Sequence, residues 1–343
     1  MNKSIPTRNL ALELVRVTEA AALAAGRYVG LGDRKLADQA AVDAMRLVMN
    51  SIEMNGVVVI GEGEKDEAPM LYNGESIGSG DLPEVDIAVD PIDGTRGAAF
   101  GLPNSITTVA LAPRGTMFNP GPFLYMEKIA VGREARDVID IEAPVEENLR
   151  KIARACSEKV NDLTAVILDR PRHAELISRV RKMGVRIRLI PDGDVAGAIM
   201  TAWENSGVDV LLGIGGTPEG VLAACALRGM GGAIQGRMVA RSEEELRKAA
   251  EYGLDLKKIY TIDDLVSSED TFFAATGLTN GDLLKGVDYY QNGARTHSLI
   301  MRGLTGTVRE ITAFHRLSKL QRISSISYNG ELEPDGIDDR MLD

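Results

Sequence analysis

Two aspartates that follow a short apolar run could bind a cation. Residues 85–89 hold one Asp among apolar residues and predict a buried strand. The strand leads into residues 90–95, Asp-Pro-Ile-Asp-Gly-Thr, where Pro91 fixes its own φ and restricts Asp90. Paired carboxylates on a stiff turn suit a hard cation, and a glycine with free backbone N–H groups suits a phosphate. An ordinary strand-to-helix turn with Asp at the cap is the alternative for these residues alone.

A second acidic stretch also follows a predicted strand. Residues 57–60 are Val-Val-Val-Ile, and the four acids Glu62, Glu64, Asp66 and Glu67 follow between glycines and a proline. A run of charge is usually a solvated loop, but the glycines and the buried strand favour a positioned site. The stretch is not a Walker A loop, because no Gly-Lys-Ser/Thr follows, and the chain lacks the dinucleotide fingerprint.

Three further strand ends carry polar groups that suit a phosphorylated sugar. Residues 169–173, after a predicted strand over 165–168, place two arginines around a proline and form a fork for phosphate oxygens or a basic surface turn. Residues 192–194, Asp-Gly-Asp, follow a strand over 185–190 and could accept hydrogen bonds from sugar hydroxyls or cap a helix. A glycine-rich turn over 213–216 follows a strand over 208–212. Pro218 and Glu219 then open a helix, where both are ordinary residues.

Composition limits the class of protein. The 343 residues suffice for one large or two medium domains, and 44% hydrophobic content with 36 glycines is typical of a globular α/β enzyme. A net charge of −11 argues against a nucleic-acid or anionic-membrane partner. Three histidines make a His-rich zinc site improbable, and Cys156 and Cys225 are interpreted as reduced core thiols. Because no apolar signal core or membrane-length run is present, we expect a cytoplasmic protein.

Helices and strands alternate along the chain, which indicates the α/β class. An amphipathic helix is predicted over 7–29, starting at Pro6 and Thr7 and stopping at Gly30. A second helix follows with Asp38 at its start, where an N-cap is the simpler interpretation. The further predictions are strands over 107–131 around a turn at Gly115, helices over 145–156, 174–183 and 242–268, and strands over 272–276, 297–302 and 307–315.

These motifs together resemble a known family. Residues 89–95 resemble the signature of the lithium-sensitive, metal-dependent sugar and inositol phosphatases. Residues 60–72 are similar, more narrowly, to class II fructose-1,6-bisphosphatases, the bacterial type. The similarity continues through residues 125–128, 169–173, 191–194 and 213–220, and it covers about residues 8–320.

The resemblance implies a fold and an activity. The expected fold is a layered α/β/α/β/α architecture with a metal-binding subdomain over 1–155 and a substrate-binding subdomain over 156–328. Residues 329–343 are expected to form an acidic tail. The implied activity is hydrolysis of the 1-phosphate of fructose 1,6-bisphosphate to fructose 6-phosphate and phosphate, in gluconeogenesis. The cofactor would be Mn²⁺ or Mg²⁺, and the chain would form a homo-oligomer, a tetramer or a dimer.

The resemblance also assigns roles to single residues. Asp38 and Glu62 would bind one metal ion, and Asp90, Asp93 and Glu219 a second; some family members carry Glu where Asp93 stands. Asp66 would orient or deprotonate the attacking water, and Thr95 would hydrogen-bond the scissile phosphate. The residues expected to contact substrate are Asp93, Gly94, Thr95, Tyr125, Arg170, Pro171, Arg172, Asp192, Gly193, Asp194 and Gly216.

Two alternative functions stay open at this point. One is a relaxed-specificity phosphatase that acts also on sedoheptulose 1,7-bisphosphate or on inositol phosphates. The other is a sugar-phosphate-binding regulator without catalysis. The presence of Asp66, Thr95 and every implied metal ligand argues against the regulator.

Overall fold

The computed structural model describes residues 9–62, 70–121, 125–204, 206–251, 255–291 and 293–328. The strands are β1 (Asn55–Ile60), β2 (Ser76–Ile77), β3 (Glu84–Asp93), β4 (Ile106–Pro113), β5 (Tyr125–Val131), β6 (Thr164–Leu168), β7 (Arg186–Ile190), β8 (Val210–Gly216), β9 (Ala233–Met238), β10 (Ile259–Thr261), β11 (Phe272–Gly277), β12 (Asp288–Tyr290), β13 (Gly293–Arg302) and β14 (Thr307–His315). The helices are α1 (Ala11–Ala25), α2 (Arg34–Met49), α3 (Thr95–Ala99), α4 (Val145–Ala155), α5 (Ala174–Lys182), α6 (Val195–Met200), α7 (Thr217–Met230), α8 (Glu243–Glu251), α9 (Ile262–Leu265) and α10 (Leu317–Ile323).

The strands form two separate sheets. The first has the order β12-β13-β11-β4-β3-β1-β2, with β14 paired to β13, and the second has the order β10-β9-β5-β8-β6-β7. Strand β1 runs parallel to β3, and β6 runs parallel to both β7 and β8; the other strand pairs of the described residues are antiparallel. Both sheets are therefore mixed.

Helices cover both sheets and fill the space between them. Helices α1 and α2 share a core with one face of the first sheet, and α4 and α5 share a core with one face of the second. Helix α7 is buried on nearly all sides and contributes to a third core with residues of both sheets, such as Phe273 and Met126. A helix that is apolar all round belongs inside the molecule. The order is thus α/β/α/β/α, which confirms the expected layered α/β fold.

Strand β3 is longer than the sequence indicated. The structure places residues 90–93 in the strand rather than in a turn, and the pairing with β4 shifts register between Asp90 and Asp93. Pro91 removes a backbone donor, and a strand accepts that loss most easily at an irregular position. Gly94, with φ of 89°, then ends the strand, and α3 begins at Thr95. The glycine-rich residues 213–216 were predicted to form a turn, but they belong to β8, which runs through Gly216 and pairs with β5.

Three helix predictions need correction. Asp33, not Asp38, caps α2, because its side chain accepts hydrogen bonds from the backbone N–H groups of Lys35 and Leu36. Helix α1 ends at Ala25 and continues as a short 3-10 turn, whereas Pro6 and Thr7 lie outside the described residues. The predicted helix over 242–268 is α8, then strand β10 and the single turn α9, because an antiparallel pairing with β9 takes residues 259–261.

The other predicted helices and strands are confirmed within a few residues, and β2, β9 and β12 are additional strands. The chain passes from the first sheet to the second between β4 and β5 and returns at β11. The predicted division into two subdomains near residue 155 stays a prediction. Cys156 and Cys225 are both free thiols, the first half-buried and the second buried. Among the described helices, none has the length and apolar character needed to cross a bilayer.

Candidate active site

Two adjoining cavities lie where the predicted site residues meet. We call them the acidic cavity, of about 250 Å³, and the basic cavity, of about 310 Å³. The predicted residues that line the acidic cavity are Glu62, Asp90, Asp93, Gly94, Thr95, Asp192, Gly193 and Glu219. Those that line the basic cavity are Tyr125, Arg170, Arg172, Asp192, Gly193, Asp194, Gly216 and Glu219.

The acidic cavity is built from the ends of β1 and β3 and the start of α7. The Ile92 N–H donates to Asp90 Oδ1 over 3.1 Å, so the bulge in β3 fixes that carboxylate. Asp93 is buried: its Oδ2 accepts a hydrogen bond from the Ala196 N–H over 3.3 Å, while its Oδ1 has no partner among the described residues. The Thr95 hydroxyl donates to the Ile92 carbonyl over 2.9 Å. One buried carboxylate oxygen is therefore left without a donor.

The acids of this cavity raise one another's pKa. Burial, then Asp38 and Glu219, raise the pKa of Glu62 to about 8. Burial and the neighbouring carboxylates, Asp93 first among them, hold the pKa of Asp90 well above its usual range. Burial, Asp194 and Glu219 do the same to Asp93. Because like charges at close range cannot all ionise at low cost, a cation would stabilise these carboxylates in their ionised form.

The basic cavity holds two arginines that the backbone already orients. Arg170 donates to the Pro191 carbonyl and, over 2.7 Å, to Asp192 Oδ1. Arg172 donates from Nε and Nη2 to the Ile214 carbonyl, over 3.1 and 2.6 Å. Burial and the neighbouring Arg170 lower the pKa of Arg172. The two guanidinium groups thus repel one another and would both gain from an anion between them.

Tyr125 lies against two arginines, one of which the sequence analysis missed. The Arg241 guanidinium carbon stands 4.1 Å from the centre of the Tyr125 ring, and that of Arg172 stands 5.8 Å away. A cation over an aromatic face is attracted by the ring's electron density. Arg241 follows β9 at a chain distance from Tyr125 that no local pattern could bridge, so only the pairing of β9 with β5 identifies it.

His173 has a structural role. Its Nδ1 lies 2.8 Å from the Leu168 carbonyl, and its Nε2 accepts a hydrogen bond from the Ile214 N–H over 2.8 Å. Since a carbonyl can only accept and an N–H can only donate, these partners fix the neutral tautomer with the proton on Nδ1. The ring thereby holds the same β8 residue whose carbonyl binds Arg172.

The two cavities share one wall, formed by Asp192, Gly193, Pro218 and Glu219. Gly193 has φ of 66°, and a Cβ there would stand 2.8 Å from Asp93 Cγ and from the Gly94 nitrogen. A side chain at Gly216 would likewise stand 1.7 Å from Glu219 Oε2. Only glycine is accommodated at position 193, whereas a side chain at position 216 would displace the Glu219 carboxylate.

Lys128, like Arg241, is a residue of this site for which the sequence predicted no role. It is buried in β5, where its Nζ stands 2.6 Å from Asp194 Oδ2 and donates to the Gly216 carbonyl over 2.8 Å. A lysine that alternates with the apolar Met126 and Ala130 in β5 was the available signal, because lysine is almost never fully buried unless it is paired. Asp194 is therefore an ion-pair partner, and its side chain makes no capping hydrogen bond at α6.

Three predicted residues are not in either lining. Asp38 lies on the second turn of α2 and is half-buried; it is close enough to raise the pKa of Glu62 and Asp90. Pro171 is exposed at the start of a short 3-10 turn. Asp66 lies outside the described residues.

The donor set of the acidic cavity fits a hard divalent cation. Its groups are carboxylates with raised pKa values and one buried oxygen without a donor. Oxygen ligands of this kind suit Mg²⁺ or Mn²⁺ better than zinc. As the side chains stand, no three His, Cys, Asp or Glu residues of the described ranges are arranged to hold a metal ion. The ligand set therefore stays a prediction.

Comparison with known proteins identifies the family. Residues 8–315 match the family model described as bacterial fructose-1,6-bisphosphatase, glpX-encoded. The chain is 45% identical over 332 residues to the class 2 fructose-1,6-bisphosphatase of Haemophilus influenzae, with 93% of this chain and 99% of that protein covered. The chain belongs to the bacterial fructose-1,6-bisphosphatase family. Fructose-1,6-bisphosphatase 1 class 2 of Escherichia coli is 44% identical over 325 residues, with 91% and 96% covered.

The family assignment confirms the resemblance that was drawn from the motifs. The bacterial fructose-1,6-bisphosphatase match spans residues 8–315, so both cavities lie within it. A solved structure, an extragenic suppressor from Pyrococcus furiosus, is 13% identical with a TM-score of 0.30, covering 56% of this chain and 69% of that one. A likeness that low adds nothing to the assignment.

Proposed function

We propose that this chain hydrolyses the 1-phosphate of fructose 1,6-bisphosphate and releases fructose 6-phosphate and inorganic phosphate. The observation that supports this most is the junction of an acidic and a basic cavity across one wall. A sugar bisphosphate has two phosphates at a fixed separation. The basic cavity suits the phosphate that is kept, and the acidic cavity, once cations offset its charge, suits the phosphate that is removed.

At the acidic end, Asp38 and Glu62 would hold one cation, and Asp90, Asp93 and Glu219 a second. When bound, divalent cations supply positive charge that offsets the phosphate dianion and the leaving alkoxide. The protein's part is to hold the carboxylates in place: β3 fixes Asp90 and Asp93, while α7 presents Glu219. Asp66 would take the proton of the attacking water.

The scissile phosphate would lie against residues 93–95. Gly94, with φ of 89°, turns the backbone in a way that a larger residue would strain. Thr95 would hydrogen-bond a phosphate oxygen, for which its hydroxyl must leave the Ile92 carbonyl. That exchange costs little when the new acceptor is charged, because charge-assisted hydrogen bonds are about twice as strong as neutral ones.

At the basic end, Arg170, Arg172 and Tyr125 would bind the 6-phosphate. Each arginine uses part of its fork on protein oxygens and keeps other N–H groups for a ligand. Asp192, Gly193 and Gly216 would contact the sugar between the two phosphates. Asp192 and Gly193 belong to the shared wall, and Gly216 lines the basic cavity. We further propose Mn²⁺ or Mg²⁺ as cofactor, a cytoplasmic homo-oligomer and a role in gluconeogenesis.

Phosphate release from a substrate panel tests this function. The panel is fructose 1,6-bisphosphate, sedoheptulose 1,7-bisphosphate and an inositol monophosphate, each with Mn²⁺, with Mg²⁺ and after chelation with EDTA. We expect activity on fructose 1,6-bisphosphate that disappears with EDTA and returns with either ion, and inhibition by lithium. Comparable rates on the other two substrates would favour the relaxed-specificity phosphatase. Full activity in thoroughly chelated protein would rule out the proposed mechanism, and no activity under any condition would favour the sugar-phosphate-binding regulator.

A further inference from the structure

Lys128 connects the two turns that close the site. Lys128 alternates with Met126 and Ala130 along β5, so the three side chains lie on the same face of the strand. That face of β5 packs toward α7. From there its Nζ contacts Asp194, directly after the Asp192-Gly193 wall, and the Gly216 carbonyl, directly before the turn that carries Glu219. One ammonium group therefore joins the start of α6 to the start of α7.

The surroundings leave this ion pair little freedom. The side chains of Lys128 and Asp194 are 1% and 5% exposed. A Cβ on Gly215 would stand 1.9 Å from Asp194 Oδ2 and 3.0 Å from Lys128 Nζ, so the backbone of β8 packs directly on the pair. A buried pair of this kind is strongly destabilised when one partner is removed, because the other charge is left without compensation.

We propose that Lys128 is a positioning residue that sets the cation affinity of the acidic cavity by holding the Glu219 turn through Asp194 and the Gly216 carbonyl. The inference rests on the proposed function for the identity of the ligand, a divalent cation. Lys128 does not touch substrate in this account. It acts through the backbone that leads to Glu219.

A simpler role predicts the opposite sign. Burial and Asp194 raise the pKa of Glu219, and Lys128 opposes that shift, so Lys128 is close enough to act as a point charge. If charge were its whole effect, removing it would make the cavity more negative and would strengthen cation binding. If position is its effect, removing it lets the Glu219 turn move and weakens cation binding. Residues that orient metal ligands typically contribute about 10–100-fold to metal affinity.

Lys128→Met separates these two roles. The measurement is the melting temperature of the protein as a function of Mn²⁺ concentration, which needs no substrate, together with kcat and KM for fructose 1,6-bisphosphate. We expect the Mn²⁺ concentration at half-maximal stabilisation to rise about tenfold or more relative to wild type. Lys128→Arg, which keeps the charge and can donate to both partners, should recover most of the affinity.

A second variant tests position without changing charge, and it serves if Lys128→Met does not fold. Gly215→Ala adds only a methyl group, which must displace the ion pair. It should also raise the half-saturating Mn²⁺ concentration. The control is Arg302→Met, which breaks the 2.8 Å ion pair between the buried Arg302 and the half-buried Asp270. Arg302 lies near Gly229, which is about 15 Å along α7 from Glu219. It should lower the melting temperature and leave the Mn²⁺ midpoint unchanged.

The outcomes are distinct. Tighter Mn²⁺ binding in Lys128→Met would show that Lys128 acts only as a charge, and an unchanged midpoint in both Lys128→Met and Gly215→Ala would show that it is merely structural; either result overturns the inference. A wild-type protein that binds Mn²⁺ but does not hydrolyse fructose 1,6-bisphosphate would refute the proposed function instead. The thermal measurement would still decide the role of Lys128 in that case.

Discussion

The acidic and basic cavities differ in how their charges are balanced. In the basic cavity, Arg170 is paired with Asp192, and Arg172 donates to a backbone carbonyl. In the acidic cavity, one Asp93 oxygen has no donor among the described residues, and the carboxylates raise each other's pKa values. Among the described residues, one buried lysine, Lys128, lies at their junction, and it is already paired with Asp194.

The difference indicates that the two halves are completed in different ways. The basic cavity is preorganised and can receive an anion with little rearrangement. The acidic cavity has more negative charge than its surroundings compensate, so a ligand of opposite charge would relieve it. A substrate with one phosphate for each cavity would therefore need cations in the acidic cavity. Metal dependence follows from this charge balance as well as from the family.

Asp66→Asn should have the largest effect, because it removes the proposed general base and keeps the side chain nearly the same size. We expect kcat to fall by about 10²–10⁴-fold, the usual contribution of a positioned general base. The Mn²⁺ midpoint and substrate binding should change little. Single-turnover kinetics at saturating Mn²⁺ would measure the effect, and a kcat near the wild-type value would mean that another group activates the water.

Glu219→Gln tests whether the excess negative charge serves a cation. The substitution keeps the size and removes one of the charges that raise the pKa values of Glu62 and Asp93. Activity should be low and should partly recover at high Mn²⁺, whereas the metal-free melting temperature should stay near wild type or rise. If Glu219 were only an acid at a helix end, the loss would be about 0.3–1 kcal/mol of stability with an unchanged Mn²⁺ activation curve.

The pH dependence of stability should show a smaller effect. The carboxyl of Glu62 ionises near 4.5 in an ordinary environment and at about 8 in the fold. Between those values the folded chain holds more protons than the unfolded chain, so stability falls as the pH rises. The metal-free melting temperature should therefore fall between pH 5.5 and 8, and Mn²⁺ should raise it more at pH 8, where the ligands are deprotonated.

Glu62→Gln should reduce that slope without abolishing it. Glu19 is half-buried and lines neither cavity. Burial raises its pKa to about 7, against the hydrogen bond from Thr296, so it contributes with the same sign. Glu19→Gln is thus the matched control: it should also flatten the metal-free slope, but it should leave the stabilisation by Mn²⁺ unchanged. A slope that neither variant alters would show that these acids do not titrate as the structure indicates.

The sequence predicted which strand ends carry the candidate site residues wherever those residues follow their own strands. Asp90 and Asp93 at the end of β3, and Arg170 and Arg172 after β6, stand next to apolar runs that reveal the strand and its end. Glu219 was recognisable only through the family resemblance, since an acid after proline at a helix start is ordinary.

Features that depend on neighbouring strands could not be predicted. Lys128 is buried because β5 lies between β8 and β9. Arg241 contacts the Tyr125 ring because β9 ends beside the start of β5. The bulge in β3 needs the register with β4, which no single strand encodes. The cap of α2 was misassigned to Asp38 because two aspartates precede or enter the helix, and only the hydrogen bonds distinguish them.

The most direct test of the division between the two cavities compares Arg172→Ala with wild type on fructose 1,6-bisphosphate and on fructose 1-phosphate, which lacks the 6-phosphate. A hydrogen bond to a charged group is worth about 1.5–3 kcal/mol, so kcat/KM for the bisphosphate should fall on the order of 10–100-fold. The value for fructose 1-phosphate should change far less, and the exposed Arg186→Ala should alter neither. An equal loss on both substrates would contradict the account, because Arg172 would then act on something other than the 6-phosphate.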